Sequence, residues 1–152
     1  MNRRHIVFML ACAAAFFACA PRMHTASASE PAGDGSRFAV ANGLDITLTH
    51  LSKARSTSFA LEVKNSGRRT EVRFPSGKTH DFVVLDDKDR EVWRWSAGRL
   101  FTQALQTRQL KTGDAIHFDA TWTALKPGTY RVVAVLNTGH TPQQLETEFV
   151  VN

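Results

Sequence analysis

Cysteine is nearly missing from this chain. The only two in 152 residues, Cys12 and Cys19, fall within the first nineteen positions. Everything after them has no thiol nucleophile, no thiolate metal site and no disulfide, and must be held together by its core. A nucleophile elbow of the G-x-S-x-G type is also missing. Residue counts alone leave a Ser-His-Asp grouping open, but no spacing points to one. The histidines His24, His50, His80, His117 and His140 stand singly, without the H-x-H or H-x-x-x-H spacing of a zinc site. Each reads as solvent-facing or locally hydrogen-bonded. Residues 86–91, Asp-Asp-Lys-Asp-Arg-Glu, are acidic but lack the glycine and ligand spacing of a calcium loop. A tight turn suits them better, because Asp bonds its own backbone there. The expectations are no enzyme, no metal and no cofactor.

Concentrated positive charge is lacking too. Removal of residues 1–18 takes Arg3 and Arg4 from the 19 basic residues and none of the 14 acidic ones, lowering the net charge from +5 to +3. Only Arg68 and Arg69 are adjacent in the folded part. A nucleic-acid partner would need a basic patch or stripe, and none is written here.

The long apolar run that does occur is at the N-terminus. Arg3 and Arg4 precede residues 6–20, almost wholly apolar apart from the cysteines. This is the order of a secretory signal, and it is short of the ~20 residues of a comfortable bilayer span. Two exits from it are open. Phe16-Phe17-Ala18-Cys19 resembles a bacterial lipobox, with small Ala18 before a cysteine to be lipidated, although Phe16 replaces the usual leucine. Ala26-Ser27-Ala28 offers ordinary A-x-A cleavage instead. The first is preferred. It gives a signal over 1–18, lipidation at Cys19, a flexible Ala/Ser/Pro/Gly-rich tether over 19–36 and a domain over 37–152. The chain is then an exported lipoprotein anchored to a membrane of the bacterial envelope. The other exit makes it a soluble periplasmic or secreted protein.

The domain is a series of short alternating segments between turn signals. Leu44, Ile46 and Leu48 alternate with polar neighbours, as do Phe59, Leu61 and Val63, then Val72 and Phe74. Residues 81–85 and 91–95 flank the acidic turn and read as a hairpin. Phe118, Ala120 and Trp122 alternate again. Residues 130–136 are apolar on both faces after Arg131, as a central strand would be, and 145–151 close the chain. Ala97, Leu100, Phe101, Ala104 and Leu105 recur at a helical period, predicting a short helix over 97–106. Tyr130 follows a Pro127-Gly128 turn at a strand start, the position of the tyrosine corner of immunoglobulin-like domains. The expected fold is all-β: an immunoglobulin-like antiparallel sandwich of about eight strands with one short helix and no disulfide.

The most distinctive stretch surrounds Trp93 and Trp95. Two apart on one strand, they share a face, which is either core or a ledge for a partner. Several pieces carry a family resemblance: Asn65, Phe74-Pro75-Ser76-Gly77, Asp81-Phe82-Val83-Val84, Val92-Trp93-Arg94-Trp95-Ser96, Phe101-Thr102-Gln103, Leu110 with Gly113, Trp122, and Pro127-Gly128-Thr129-Tyr130. Through them residues 44–137 resemble the BsuPI-type intracellular proteinase inhibitors. The resemblance implies an immunoglobulin-like fold and a peptidase as protein partner. It supplies no inhibitory loop motif. The export signal departs from the family's intracellular name, and Arg90 stands where related chains tend to have glycine.

Loops at the ends of a sandwich carry function, so 76–79 and 99–111 are the segments expected to meet a partner. The candidate contact residues are Ser76, Lys78, Trp95, Arg99, Phe101 and Arg108, and either Arg99 or Arg108 suits a trypsin-like pocket. The alternative is an envelope adaptor or assembly lipoprotein with no peptidase target.

Overall fold

The computed structural model describes residues 36–41, 43–53, 55–123, 126–139 and 141–152. The signal, Cys12, Cys19, His24, His140 and the tether up to residue 35 lie outside the described residues.

Ten strands are described: β1 (Arg37–Ala41), β2 (Leu44–Lys53), β3 (Ser56–Asn65), β4 (Thr70–Phe74), β5 (His80–Leu85), β6 (Glu91–Arg94), β7 (Gln106–Leu110), β8 (Ala115–Thr123), β9 (Gly128–Leu136) and β10 (Gln143–Val151). One antiparallel sheet has the order β1-β2-β3-β8 and a second β10-β9-β5-β6, while β4 and β7 form a separate two-stranded ribbon. The alternating residues face inward as their period requires. Ile46, Leu48, Phe59, Leu61 and Val63 from the first sheet are buried with Phe82, Val84, Val132, Ala134, Leu136 and Phe149 from the second. Phe59 is at the centre, its ring 6.0 Å from Phe82, 5.4 Å from Phe149 and 6.3 Å from Trp93. This is an all-β sandwich with the layering of an immunoglobulin-like domain. The Tyr130 hydroxyl donates to the Lys126 carbonyl at 2.8 Å, closing the tyrosine corner that the Pro-Gly turn suggested.

β9 lies between β10 and β5, as its two apolar faces required. β5 and β6 form the expected hairpin. Its turn is held by the Asp86 carboxylate, which accepts from the Lys88 and Arg90 amides and from Arg90 Nε, each at 2.9 Å. The hydrogen bonds from Arg90, side chain first, hold Asp86 down at a pKa of about 2. The acidic run is a turn built on Asp86.

Two expectations are corrected. Residues 97–106 form no helix, and the described residues contain none. Instead the chain turns over 95–98, with Gly98 at φ +72°, runs open to 105 and enters β7 at Gln106. A helix there would need its apolar stripe covered, yet Leu100 and Leu105 are exposed, and glycine in the first turn weakens it further. The strand count is ten rather than eight, because β1 and β7 were not expected. β7 is polar except at Leu110 and exists through its pairing with β4.

Candidate functional site

Asp81 is the organising residue. Strand alternation puts it opposite in sense to His80 and Phe82, on the outer face of its sheet, where an acid would ordinarily be solvated. It is nevertheless only 2% exposed. Four groups cover it. The Ser96 amide donates to its Oδ1 at 3.1 Å, and the Ser96 hydroxyl donates to Oδ2 at 2.6 Å. Lys78 Nζ lies 2.6 Å and Arg94 Nη1 3.3 Å from Oδ2. Burial alone would push the carboxyl up; the hydrogen bonds from Lys78 and Ser96 and the Lys78 charge outweigh it and hold Asp81 below its usual range. One buried carboxylate thus pins the start of the β6–β7 loop to the β4–β5 loop.

Gly77 makes the second clamp. Its amide donates to the Thr102 carbonyl at 2.8 Å. A Cβ on Gly77 would lie 2.7 Å from Thr102 Oγ1 and 3.1 Å from its amide nitrogen, so the close approach of the two loops requires glycine. The β4–β5 loop is itself fixed from β9: the Asn137 side-chain amide donates to the Lys78 carbonyl at 3.0 Å and the Asn137 backbone amide to the Thr79 carbonyl at 2.9 Å.

An aromatic stack supports the loop from below. His80 is buried, with its ring 4.1 Å from Trp95 and 4.3 Å from Phe118, and it takes or gives a 3.2 Å bond to Thr79 Oγ1 through Nδ1. Its Nε2 is buried without a partner among the described residues. His80 was expected to be solvent-facing or locally bonded, and only the second holds. Burial lowers its pKa to about 4; Arg99 adds to the effect, while Asp81 and Asp119 pull the other way. Trp95 also meets Phe101 at 5.7 Å, and the Arg99 guanidinium lies 4.4 Å over the indole while Nε donates to the Trp95 carbonyl at 2.8 Å. Trp93 and Trp95 are both half-buried against the core, but Trp95 lies just beyond the end of β6, in the turn over 95–98, and not on the strand as expected.

Five of the six residues expected to meet a partner therefore lie together: Trp95, Arg99 and Phe101 on the β6–β7 loop, and Ser76 and Lys78 on the β4–β5 loop that clamps it. Arg108 is outside this group, carried by β7 opposite Val72. Sequence reading gave no clamping role to Gly77, Asp81, Ser96 or Thr102, although all four lie in the motif pieces of the resemblance. Asn65, another such piece, is equally structural. It is buried, and its side-chain amide donates to the Arg68 and Leu110 carbonyls while its Oδ1 accepts from the Gly67 amide.

What these clamps present is residues 99–103, a run without a turn. Leu100 stands fully exposed in it. No backbone hydrogen bond of Leu100 or Phe101 is found among the described residues. A cavity of about 850 Å³ opens between the ends of β6 and β8, lined by Asp86, Arg90, Trp93, Trp122 and Tyr130 among others. Two of its polar side chains are already engaged, Asp86 with Arg90 and the Tyr130 hydroxyl with the Lys126 carbonyl.

These framework residues fall within the span of a family match. The family model for BsuPI, intracellular proteinase inhibitor, matches residues 44–141. The chain belongs to the BsuPI intracellular proteinase inhibitor family. No curated protein matches the chain. Among solved structures, β-glucosidase 3B from Thermotoga neapolitana in complex with α-D-glucose is similar at 12% identity, over 69% of this chain and 15% of that one, with a TM-score of 0.40. The β-glucosidase from Kluyveromyces marxianus in complex with glucose is similar at 14% identity, over 68% and 13% of the two chains, with a TM-score of 0.38. The chain spans less than a fifth of either enzyme.

Proposed function

We propose that this chain is an exported, non-catalytic inhibitor of an envelope peptidase, and that residues 99–103 are the segment it offers to the peptidase cleft. The observation that carries the reading is an open strip held at both ends. Asp81 fixes Ser96 before it, and Gly77 fixes Thr102 within it. A cleft that binds extended chain does so through main-chain hydrogen bonds, and the peptide groups of Leu100 and Phe101 are without backbone partners among the described residues. Preorganisation removes much of the ordering cost that a flexible loop would bear. The family's description supports a peptidase as the partner. Trp95, Arg99 and Phe101 supply the contact surface, Ser76 and Lys78 flank it, and Arg108 lies at its margin. A signal over 1–18 and a lipid on Cys19 would set the chain at the envelope membrane. The test is titration of serine, cysteine and metallo-peptidases with the full chain. Loss of peptidase activity at stoichiometric inhibitor is expected, and no inhibition at micromolar concentration across the panel would end the proposal.

A second reading, an adaptor or assembly lipoprotein with no peptidase target, is favoured by the outer edge of the first sheet. There β1 exposes Phe38 and Val40 on a strand whose outer side has no partner among the described residues. Crosslinking in cells separates the two, since recovery of a peptidase alone counts against an adaptor.

A further inference from the structure

We infer that Leu100 is the residue the target peptidase takes into its specificity pocket, so that the partner is an endopeptidase with a deep apolar pocket rather than a trypsin-like one. The inference rests on the proposal that residues 99–103 enter the cleft. Within that strip the side chains are not equivalent. Arg99 folds back over Trp95 and bonds the Trp95 carbonyl. Phe101 packs toward the same indole. Thr102 is taken up by Gly77. Leu100, between two side chains turned to the protein, is 101% exposed among the described residues. An apolar side chain of that size, wholly in water on a well-anchored loop, is what a docking residue needs: its area is free to be buried, and little order remains to be lost on binding. Arg99 would have to leave its indole and its carbonyl before it could fill an acidic pocket, and Arg108 is in a paired strand.

The experiment uses the full chain in detergent, against chymotrypsin and subtilisin as apolar-pocket enzymes and trypsin as the basic-pocket one. Wild type should inhibit at least one of the first two and leave trypsin active. Leu100→Gly should weaken that inhibition roughly 10–100-fold, the worth of one buried leucine side chain. Leu100→Arg should lose it and gain trypsin. Because Leu100 is exposed, both variants should melt as wild type does, and that melt is the control for folding. Inhibition undiminished in Leu100→Gly would overturn the assignment of Leu100 while leaving the inhibitor proposal standing. Inhibition of trypsin alone by the wild type would do the same and return the role to Arg99. No inhibition of any of the three would overturn the assignment of Leu100, while inhibition of a cysteine or metallo-peptidase in the wider panel would leave the inhibitor proposal standing.

Discussion

Replacing Asp81 by alanine removes two hydrogen bonds to Ser96 and two ion pairs in one step. Hydrogen bonds to a charged group contribute about 1.5–3 kcal/mol each, and breaking a buried pair from one side costs about 3–5 kcal/mol when a charge is stranded. Here little is stranded. The Lys78 side chain is 33% exposed and Arg94 keeps Glu91 at its other face, so both can turn to water. The expected loss is therefore near ~3 kcal/mol, or about 10 °C in midpoint for a domain of this size. Asp81→Asn keeps the shape and one acceptor and should cost about half as much. Thermal and urea melts followed by circular dichroism measure this, and amide exchange over 95–103 should rise with it. The pH dependence has a definite sign. With its folded pKa depressed, Asp81 adds stability that is present above its ordinary value of 3.8 and lost as the pH falls through the lower folded value. An Asp81→Ala melt within a degree or two of wild type, with unchanged loop exchange, would refute the clamp.

Three further outcomes are expected. The unfolded chain protonates His80 at 6.5 and the folded chain only near 4, so stability should decline as the pH drops from 6.5 toward 4, by on the order of 3 kcal/mol at ~1.4 kcal/mol per unit; His80→Phe should flatten that decline, and an unchanged slope would remove His80 as its source. Gly77→Ala drives a methyl into Thr102 and should cost roughly 1–3 kcal/mol, with faster exchange of the amide at position 77; a variant as stable as wild type would mean that the loops separate freely. Cys19→Ser should move the chain from the membrane fraction to the soluble one on fractionation, and a wild-type mature chain beginning at Ser29 in mass spectrometry would contradict lipidation.

Most of the sandwich was legible because β3, β4, β8, β10 and the first half of β2 alternate and bury their apolar face, while β9 is apolar after Arg131. β1 was hidden because its order is reversed: Ala39 and Ala41 pack inward while Phe38 and Val40 face out. β7 was hidden because its reason for existing is β4, four of its five residues being polar. The helical period over 97–106 misled for a related cause, since Leu100 and Leu105 are apolar without being core. At the site, the clustering of Trp95, Arg99, Phe101, Ser76 and Lys78 followed from two loops at one end of a sandwich. Asp81 did not follow. An acid on an outward position reads as solvated, and it is the contacts with Ser96, fifteen residues on, and with Lys78 and Arg94 that bury it. Leu100 was read as half of a helical stripe, and its exposure appears only once that helix is gone.

A loop exchange puts the inhibitor reading at greatest risk. Residues 99–103 are replaced by a Gly-Ser segment in the full chain, with Asp81, Ser96 and Gly77 intact, and the inhibition constant against the most sensitive peptidase is compared with wild type. Inhibition should vanish while the chain still melts cooperatively, at a midpoint lowered by the lost Phe101 and Arg99 contacts with Trp95. Equal inhibition by both chains, or by neither, would contradict it.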